Sequence, residues 1–237
     1  MCFLIAMSFI RRPIFAINFK AYDNAIGKKA IKLSKKIDKA SKNFKGSVIL
    51  IVSNTDLFGI SSRVSNVYVF SEHIDPFLPG AHTGKILAED VKDMGAHGVL
   101  INHAEDRVSI NNIRKCILRA KKNGLKTIVC AENIKKLESI VKLETKPDMV
   151  AIEPPELIGG NVSVTNAKPN TLKRALDIAR RYDTVILCGA GIKTKHDVIS
   201  AMKIGLDGIL VASAIAKSKT PIRAFKRLAK GFKEFKD

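Results

Sequence analysis

The sequence predicts a single (β/α)8 barrel, an α/β fold in which eight parallel strands alternate with helices. Two observations predict it. Short apolar, β-rich segments recur eight times along the 237 residues, and nearly every one is followed by a segment with helical periodicity. This alternation indicates a parallel sheet that is buried on both faces. Eight units favour closure into a barrel, although the count alone leaves an open doubly wound sheet as an alternative.

The predicted strands are short apolar runs bounded by polar or turn-forming residues. The sixth illustrates the pattern, because residues 149–152 follow Lys146-Pro147-Asp148 and end where Glu153 leaves the core. The predicted strands are 14–19, 48–52, 67–70, 99–102, 126–130, 149–152, 184–188 and 208–211.

The predicted helices repeat apolar residues every three to four positions, which gives each helix an apolar face. In the first of them, 25–43, this face includes Ile26, Leu33 and Ile37. The other predicted helices are 56–60, which is short, and 85–94, 111–122, 134–141, 171–182, 195–204 and 221–235. Glycines suited to left-handed C-caps follow three of them, at Gly95, Gly124 and Gly205.

The chain is strongly basic, with 41 Lys and Arg against 22 Asp and Glu and a net charge of +19. Such a charge indicates an anionic partner, either a small molecule or a nucleic acid. The basic residues are spread along predicted helices, Trp is absent and Tyr occurs three times. Because few aromatic side chains are available to stack on bases, we expect no nucleic-acid partner. We expect no membrane partner either.

Other features of the sequence indicate where the protein works and which chemistry it uses. The four cysteines show neither paired nor metal-ligand spacing, so we expect reduced thiols in a cytoplasmic protein. His73 and His82 lack helical ligand spacing and a nearby acidic cluster, so we expect no metal. Residues 1–12 begin with an apolar run too short to span a bilayer. We interpret them as an extension of unknown role that precedes a single catalytic domain, 13–237.

Reactive side chains follow several predicted strands at their carboxyl ends, where barrels gather their binding residues. Lys20 follows the first strand, His103 the fourth and Glu153 the sixth. The last two strands end in small residues at 188–191 and 212–213, a place where barrels commonly bind phosphate through backbone N–H groups. Partial desolvation of a carboxyl group raises its pKa, which suits Glu153 to act as a general base.

These segments resemble those of the triosephosphate isomerase family, in particular its shorter archaeal branch. Four motifs in the same order carry the resemblance: Asn18-Phe19-Lys20, Asn102-His103-Ala104-Glu105, the stretch from Glu153 to Gly160, and Cys188-Gly189-Ala190-Gly191. It extends from about residue 15 to near the C-terminus. The resemblance implies a TIM barrel that interconverts dihydroxyacetone phosphate and D-glyceraldehyde 3-phosphate without a cofactor.

The resemblance also implies roles for individual residues. Glu153 resembles the base that moves a proton between adjacent carbons, and His103 resembles the electrophile, known in this family as a neutral imidazole. Lys20, with Asn18 beside it, resembles the ammonium that binds the phosphate and stabilises the enediolate. Further substrate contacts are implied at Ile158, Gly159, Gly191, Ala212 and Ser213.

The segment 153–160 is expected to close over the bound substrate. Two prolines near its start restrict the backbone, and two glycines near its end free it, which is typical of a hinged lid. The sequence departs from the family at Ala104, where a serine is usual. The hydroxyl that would contact the base in an open state is missing, so the resting geometry of Glu153 is left open.

Two other functions fit parts of the sequence. Another phosphate-binding barrel enzyme, such as an aldolase that uses Lys20 as a Schiff-base amine, fits the strand-end residues. That role needs a lysine of lowered pKa, usually later in the barrel. A basic nucleic-acid-binding protein fits only the net charge. Because members of the resembled family are oligomers, we expect a homotetramer, with a dimer as the second choice.

Overall fold

The computed structural model describes residues 10–154 and 169–234 and shows a closed barrel. Its eight strands are parallel and neighbour one another in sequence order, and β1 closes the barrel by pairing with β8. The predicted (β/α)8 barrel is therefore confirmed. The strands are β1 (Ile14–Asn18), β2 (Ser47–Val52), β3 (Tyr68–Ser71), β4 (Gly98–Ile101), β5 (Lys126–Ala131), β6 (Met149–Ile152), β7 (Val185–Cys188) and β8 (Gly208–Val211).

The helices within the described residues follow the strands. They are α1 (Gly27–Ser41), α2 (Leu57–Ser61), α3 (Ala88–Asp93), α4 (Ile110–Lys122), α5 (Ile134–Val141), α6 (Pro169–Arg181), α7 (Lys195–Ile204), α8 (Ser213–Ala216) and α9 (Pro221–Glu234). Sequence analysis missed α8, because four residues are too few to show a helical period. Across residues 10–154 and 169–234, no helix has the length and apolarity needed to cross a membrane.

Helix α3 begins three residues later than the predicted start at residue 85. The reason is a pair of contacts that holds Ile86 in the preceding loop. The backbone N–H of Asp75 donates to the Ile86 carbonyl at 2.7 Å, and the Ile86 N–H donates to the Asp75 carboxylate at 2.9 Å. A backbone captured in this way is not available for the first turn of a helix.

Two apolar cores support the barrel. The outer one lies between strands and helices, where Ala30, Leu33 and Ile37 of α1 are buried and the lysines on the opposite face are exposed. The inner one fills the barrel with side chains from alternate strand positions, among them Ile14, Ala16, Ile49, Ile51, Phe70, Leu100, Ile128, Met149, Ala151, Leu187 and Leu210. The interior of the barrel is thus a packed core.

Ion pairs cover the amino-terminal end of the barrel. Asp207, which precedes β8, is buried and accepts from both terminal nitrogens of Arg180 at 2.9 Å. Arg12 reaches the same carboxylate at 2.9 Å. Residues 10–12 therefore contact the base of the barrel, while the division of the chain at residue 12 stays a prediction. The opposite rim carries the strand ends at which sequence analysis expects the site.

Replacing Ile37 by alanine should lower the free energy of unfolding by about 2–5 kcal/mol, because a fully buried side chain leaves a cavity that the barrel cannot close. Ile26, which is 40 % exposed just before the same helix, provides the control. Ile26→Ala should cost less than about 1 kcal/mol. Chemical denaturation followed by circular dichroism measures both variants, and equal losses would contradict this packing of α1.

Candidate active site

The three predicted catalytic residues lie together at the carboxyl-terminal rim. Lys20, His103 and Glu153 line one cavity of about 240 Å³, which the loops after β7 and β8 complete. A second cavity of about 220 Å³ adjoins Lys20 and His103, and Asn18 lines it. One ammonium, one imidazole and one carboxyl group therefore face a common space large enough for a small anion.

The small residues predicted to bind phosphate lie on the wall of the first cavity. Gly191 follows β7, and Ala212 and Ser213 follow β8. Ile158 and Gly159 lie outside the described residues, as does the predicted lid beyond Pro154. Their contacts with a substrate stay predictions.

The backbone at Lys20 is held in an uncommon conformation. Its φ of 49° lies in the left-handed region that side chains other than glycine rarely adopt. Buried Asn18 offsets the strain, because its Oδ1 accepts the Lys20 N–H at 3.0 Å. At the other end of the side chain, the ammonium lies 2.7 Å from Oε1 of Glu105. Asn18 and Glu105 thus fix both ends of Lys20.

A second left-handed residue positions His103. Asn102 has a φ of 61°, is buried, and uses both ends of its side-chain amide. Its Nδ2 donates to the Cys130 carbonyl at 2.8 Å, and its Oδ1 accepts from the Val108 N–H at 3.0 Å. These bonds attach the loop after β4 to the neighbouring strand β5. Sequence analysis quoted Asn102 as part of a motif but gave it no role of its own.

His103 is a neutral hydrogen-bond donor. The Glu105 backbone N–H donates to its Nδ1 at 3.2 Å, so Nδ1 is the acceptor and the ring hydrogen is on Nε2. Burial, assisted by the Lys20 ammonium, lowers the pKa of His103 to about 4. Nε2 lies 3.9 Å from Oε1 of Glu153, and at neutral pH this contact is not an ion pair. The imidazole therefore presents an N–H to the space beside the carboxyl group.

Glu153 is a buried carboxyl group directly after β6, with 3 % of its surface exposed. Burial raises its pKa to about 7, because removal from water disfavours the charged form. The Cys130 thiol, the Lys20 ammonium and the Ala104 backbone N–H act in the opposite direction. A carboxyl group with a pKa near 7 gains and loses a proton readily at neutral pH.

The space around Glu153 depends on a glycine of the neighbouring strand end. A Cβ added at Gly189 would lie 2.5 Å from the Glu153 Cγ and 3.1 Å from the Ile152 carbonyl oxygen. The first distance is too short for two carbon atoms in contact, and the second is tight. Gly189 therefore leaves the space that Glu153 occupies, and a side chain at this position would displace the carboxyl group.

The side chain of Ala104 carries no hydroxyl, but its backbone N–H lies near enough to the Glu153 carboxylate to act against the rise in its pKa. Sequence analysis gave no catalytic role to Cys130 or to Glu105. Glu105 could have been suspected, because it follows His103 by two residues, whereas Cys130 stands in an apolar strand without any distinguishing sequence signal.

His73 and His82 have partners other than a metal ion. The Nδ1 of His73 lies 2.8 Å from the carboxylate of Asp106, and the His82 ring stacks on Phe77 with centroids 4.6 Å apart. Within residues 10–154 and 169–234, no group of three or more His, Cys, Asp or Glu is placed to hold a metal ion. His73 and Asp106 contribute to the wall of the second cavity instead.

Comparison with known proteins gives relatives over nearly the whole chain. A family model described as "Triosephosphate isomerase" matches residues 13–231. Triosephosphate isomerase of Saccharolobus solfataricus is 46% identical over 213 residues, covering 90% of this chain and 92% of that protein. The protein of the same name from Methanothermus fervidus is 37% identical over 219 residues, with coverages of 92% and 97%.

A solved structure shares the fold. The crystal structure of triosephosphate isomerase from Bartonella henselae superimposes with a TM-score of 0.70 at 20% sequence identity. The match covers 91% of this chain and all of that one. It supports the barrel architecture independently of the sequence similarity.

Glu153→Gln should stabilise the fold at pH 8 by roughly 3 kcal/mol, since glutamine resembles the neutral carboxyl group. The folded state raises the pKa from 4.5 to about 7, so it binds the proton more tightly than the unfolded chain does. The wild type is therefore penalised progressively as pH rises from about 4.5 to about 7. Denaturation midpoints across this range measure the difference between the two proteins.

The gain from Glu153→Gln should disappear near pH 4.5 and level off above pH 7. Glu138→Gln is the control, because the Glu138 side chain is partly exposed beside Lys142 and the change should affect stability little at any pH. A gain from Glu153→Gln that did not vary with pH would contradict the burial argument.

Proposed function

The chain belongs to the triosephosphate isomerase family, and from this premise we propose that Glu153, His103 and Lys20 carry out its reaction. The enzyme interconverts dihydroxyacetone phosphate and D-glyceraldehyde 3-phosphate. The observation that supports these roles most strongly is the pairing of a buried carboxyl group with a neutral imidazole across one cavity. The two groups suit removal of a proton from carbon and donation of a hydrogen bond to oxygen.

The reaction moves a proton between adjacent carbons through an enediolate. A proton next to a carbonyl group is only weakly acidic, so negative charge on oxygen must be stabilised as the proton leaves. In our proposal Glu153 removes the proton, and a pKa near the working pH is the best compromise for a general base. The Nε2–H of His103 donates to the oxygen, and the Lys20 ammonium adds Coulombic stabilisation.

We propose that the phosphate group binds between Lys20 and the loops after β7 and β8. The backbone N–H groups of Gly191, Ala212 and Ser213 are the proposed donors, which is supported by their position on the cavity wall. Asn18 acts through Lys20, whose backbone it fixes. Ile158 and Gly159 are proposed to complete the site when the lid closes and excludes water from the enediolate.

The rival assignment as a Schiff-base aldolase is less well supported. That mechanism needs a lysine with a free, neutral amine to attack a carbonyl carbon. Lys20 is instead ion-paired with Glu105 at 2.7 Å. The arrangement favours a role for Lys20 as a fixed positive charge.

We further propose a homotetramer, with a dimer as the second choice, that works in the cytoplasm in sugar breakdown and synthesis. The exposed apolar side chains Phe58 and Leu78, each more than 60 % exposed, support association, because such groups commonly mark interfaces. Met94 is also partly exposed and lies close to Phe58, since Ser61 donates to the carbonyls of both residues. Buried free thiols at Cys116, Cys130 and Cys188 are compatible with a reducing compartment.

Glu153→Gln and His103→Ala should each lower kcat by several powers of ten. The loss should exceed the rate factor of about 10²–10⁴ that general-base catalysis ordinarily contributes, because water cannot replace the lost group in a closed site. A coupled assay that consumes the isomerisation product measures the rate. Glu138→Gln, on the partly exposed face of α5 and outside both cavities, should leave the rate unchanged. A Glu153→Gln variant that kept more than about a tenth of the rate would require a different base.

Light scattering at working concentration should give the mass of a tetramer or dimer of the 26.0 kDa chain. Phe58→Lys should shift the mass toward that of the single chain, because an interface core excludes unpaired charge. Lys122→Gln on α4 is the control and should not alter the mass. A wild-type protein that scattered as a single chain would contradict the proposed association.

A further inference from the structure

A basic groove lies along the C-terminal helix α9, apart from the active site. It encloses about 580 Å³ and shares no lining residue with the two cavities at the catalytic rim. Its lining within the described chain contains no acidic residue and consists of Ser218, Thr220, Arg223, Ala224, Lys226, Arg227 and Lys230. We refer to this feature as the α9 groove.

The four cations of the α9 groove form one stripe. They are Arg223 and the residues three, four and seven positions after it, Lys226, Arg227 and Lys230. This spacing places them on one face of a helix. All four are exposed, and none has an ion pair or hydrogen bond within residues 10–154 and 169–234. Like charges at this spacing repel each other, so an anion in the groove would relieve the repulsion.

Further exposed cations lie on a neighbouring helix. Helix α1 packs beside α9 and carries six exposed lysines, Lys28, Lys29, Lys32, Lys35, Lys36 and Lys39. Its one acidic residue, Asp38, is buried and accepts from the backbone N–H groups of Ser65 and Asn66. The exposed charge of α1 is therefore not neutralised by its own carboxylate.

We propose that the α9 groove and the exposed lysines of α1 bind the phosphate backbone of a nucleic acid. A stripe of seven helical steps is about 10 Å long, which is enough to follow a nucleic-acid backbone past more than one phosphate. The hydroxyls of Ser218 and Thr220 are further donors of the kind that contact phosphate oxygens. A ligand with one phosphate would leave most of these cations unused.

The proposed binding does not depend on base sequence. Among the lining residues of the groove there is no aromatic side chain to stack on a base. Sequence analysis expected no nucleic-acid partner for this same reason. The structure adds that four cations share one concave face with no carboxylate partner among residues 10–154 and 169–234. Recognition of a phosphate backbone needs only such a set of cations.

Fluorescence anisotropy with a labelled single-stranded RNA of about 20 nucleotides and mixed sequence tests the proposal. The probe variant replaces Arg223, Lys226, Arg227 and Lys230 with glutamine. At about 100 mM salt it should bind at least about tenfold more weakly than the wild type. The slope of log K against log salt should become shallower by up to about 3, at about 0.7 per lost phosphate contact. Its kcat and melting temperature should match the wild type, because the four side chains are exposed and line neither catalytic cavity.

A second variant controls for net charge. Arg114, Lys115, Lys121 and Lys122 on α4 are also exposed, and replacing them with glutamine removes the same four charges. This control should bind RNA within about twofold of the wild type. If the two variants lost affinity equally, binding would follow total charge, and the assignment to the α9 groove would be overturned.

Three further outcomes would overturn the proposal. One is the absence of wild-type binding at about 50 mM salt, where backbone contacts are strongest. Another is displacement of the RNA by micromolar ATP, which would identify the groove as a site for a small polyphosphate. The third is equal binding of a polyglutamate chain of the same charge, which would mean that any acidic polymer fits. If none of these three results is seen, displacement of the labelled RNA by unlabelled RNA of unrelated sequence would support the proposal.

Discussion

Burial of the Glu153 carboxyl group is the constraint on which the active site depends. The strand β6 delivers it to the rim, Gly189 leaves room for it, and the surrounding protein excludes water. Desolvation raises its pKa to about 7, and the same desolvation lowers the pKa of His103 to about 4. Desolvation thus has two effects. It makes the carboxyl group basic enough to accept a proton near neutral pH, and it keeps the imidazole neutral.

The rim residues are held by bonds that offset unfavourable backbone geometry. Lys20 and Asn102 both have positive φ, and each is fixed by a buried asparagine side chain, Asn18 in the first case and its own amide in the second. The closed strand pairing of the barrel provides the rigid frame that makes such strain tolerable. Burial of Glu153 and the positive φ angles of these two residues lower the free energy of unfolding. The packed cores inside and outside the sheet offset this loss.

The positive charge of the chain is distributed between two kinds of environment. At the catalytic rim, Lys20 is ordered by Glu105, so its charge has a defined position and a defined partner. On α9, four cations share a concave face with no carboxylate from the described residues. The first arrangement suits a small dianion that must be oriented for chemistry. The second suits a polymer that needs only a series of charges.

The sequence by itself determined the features that local periodicity and order along the chain can carry. All eight strands lie within one residue of the predicted bounds, and Lys20, His103 and Glu153 could be chosen because they directly follow strands. Only the tertiary structure decided which partners these residues meet. Glu105 lies 85 residues from Lys20, and Cys130 and Ala104 reach Glu153 from other strand ends. It also decided that Asp75 shortens α3 and that the α9 cations have no counter-ion in the part of the chain that the structure describes. Burial, pKa and charge pairing depend on distances through space, and a closed barrel sets these by joining residues that the sequence keeps far apart.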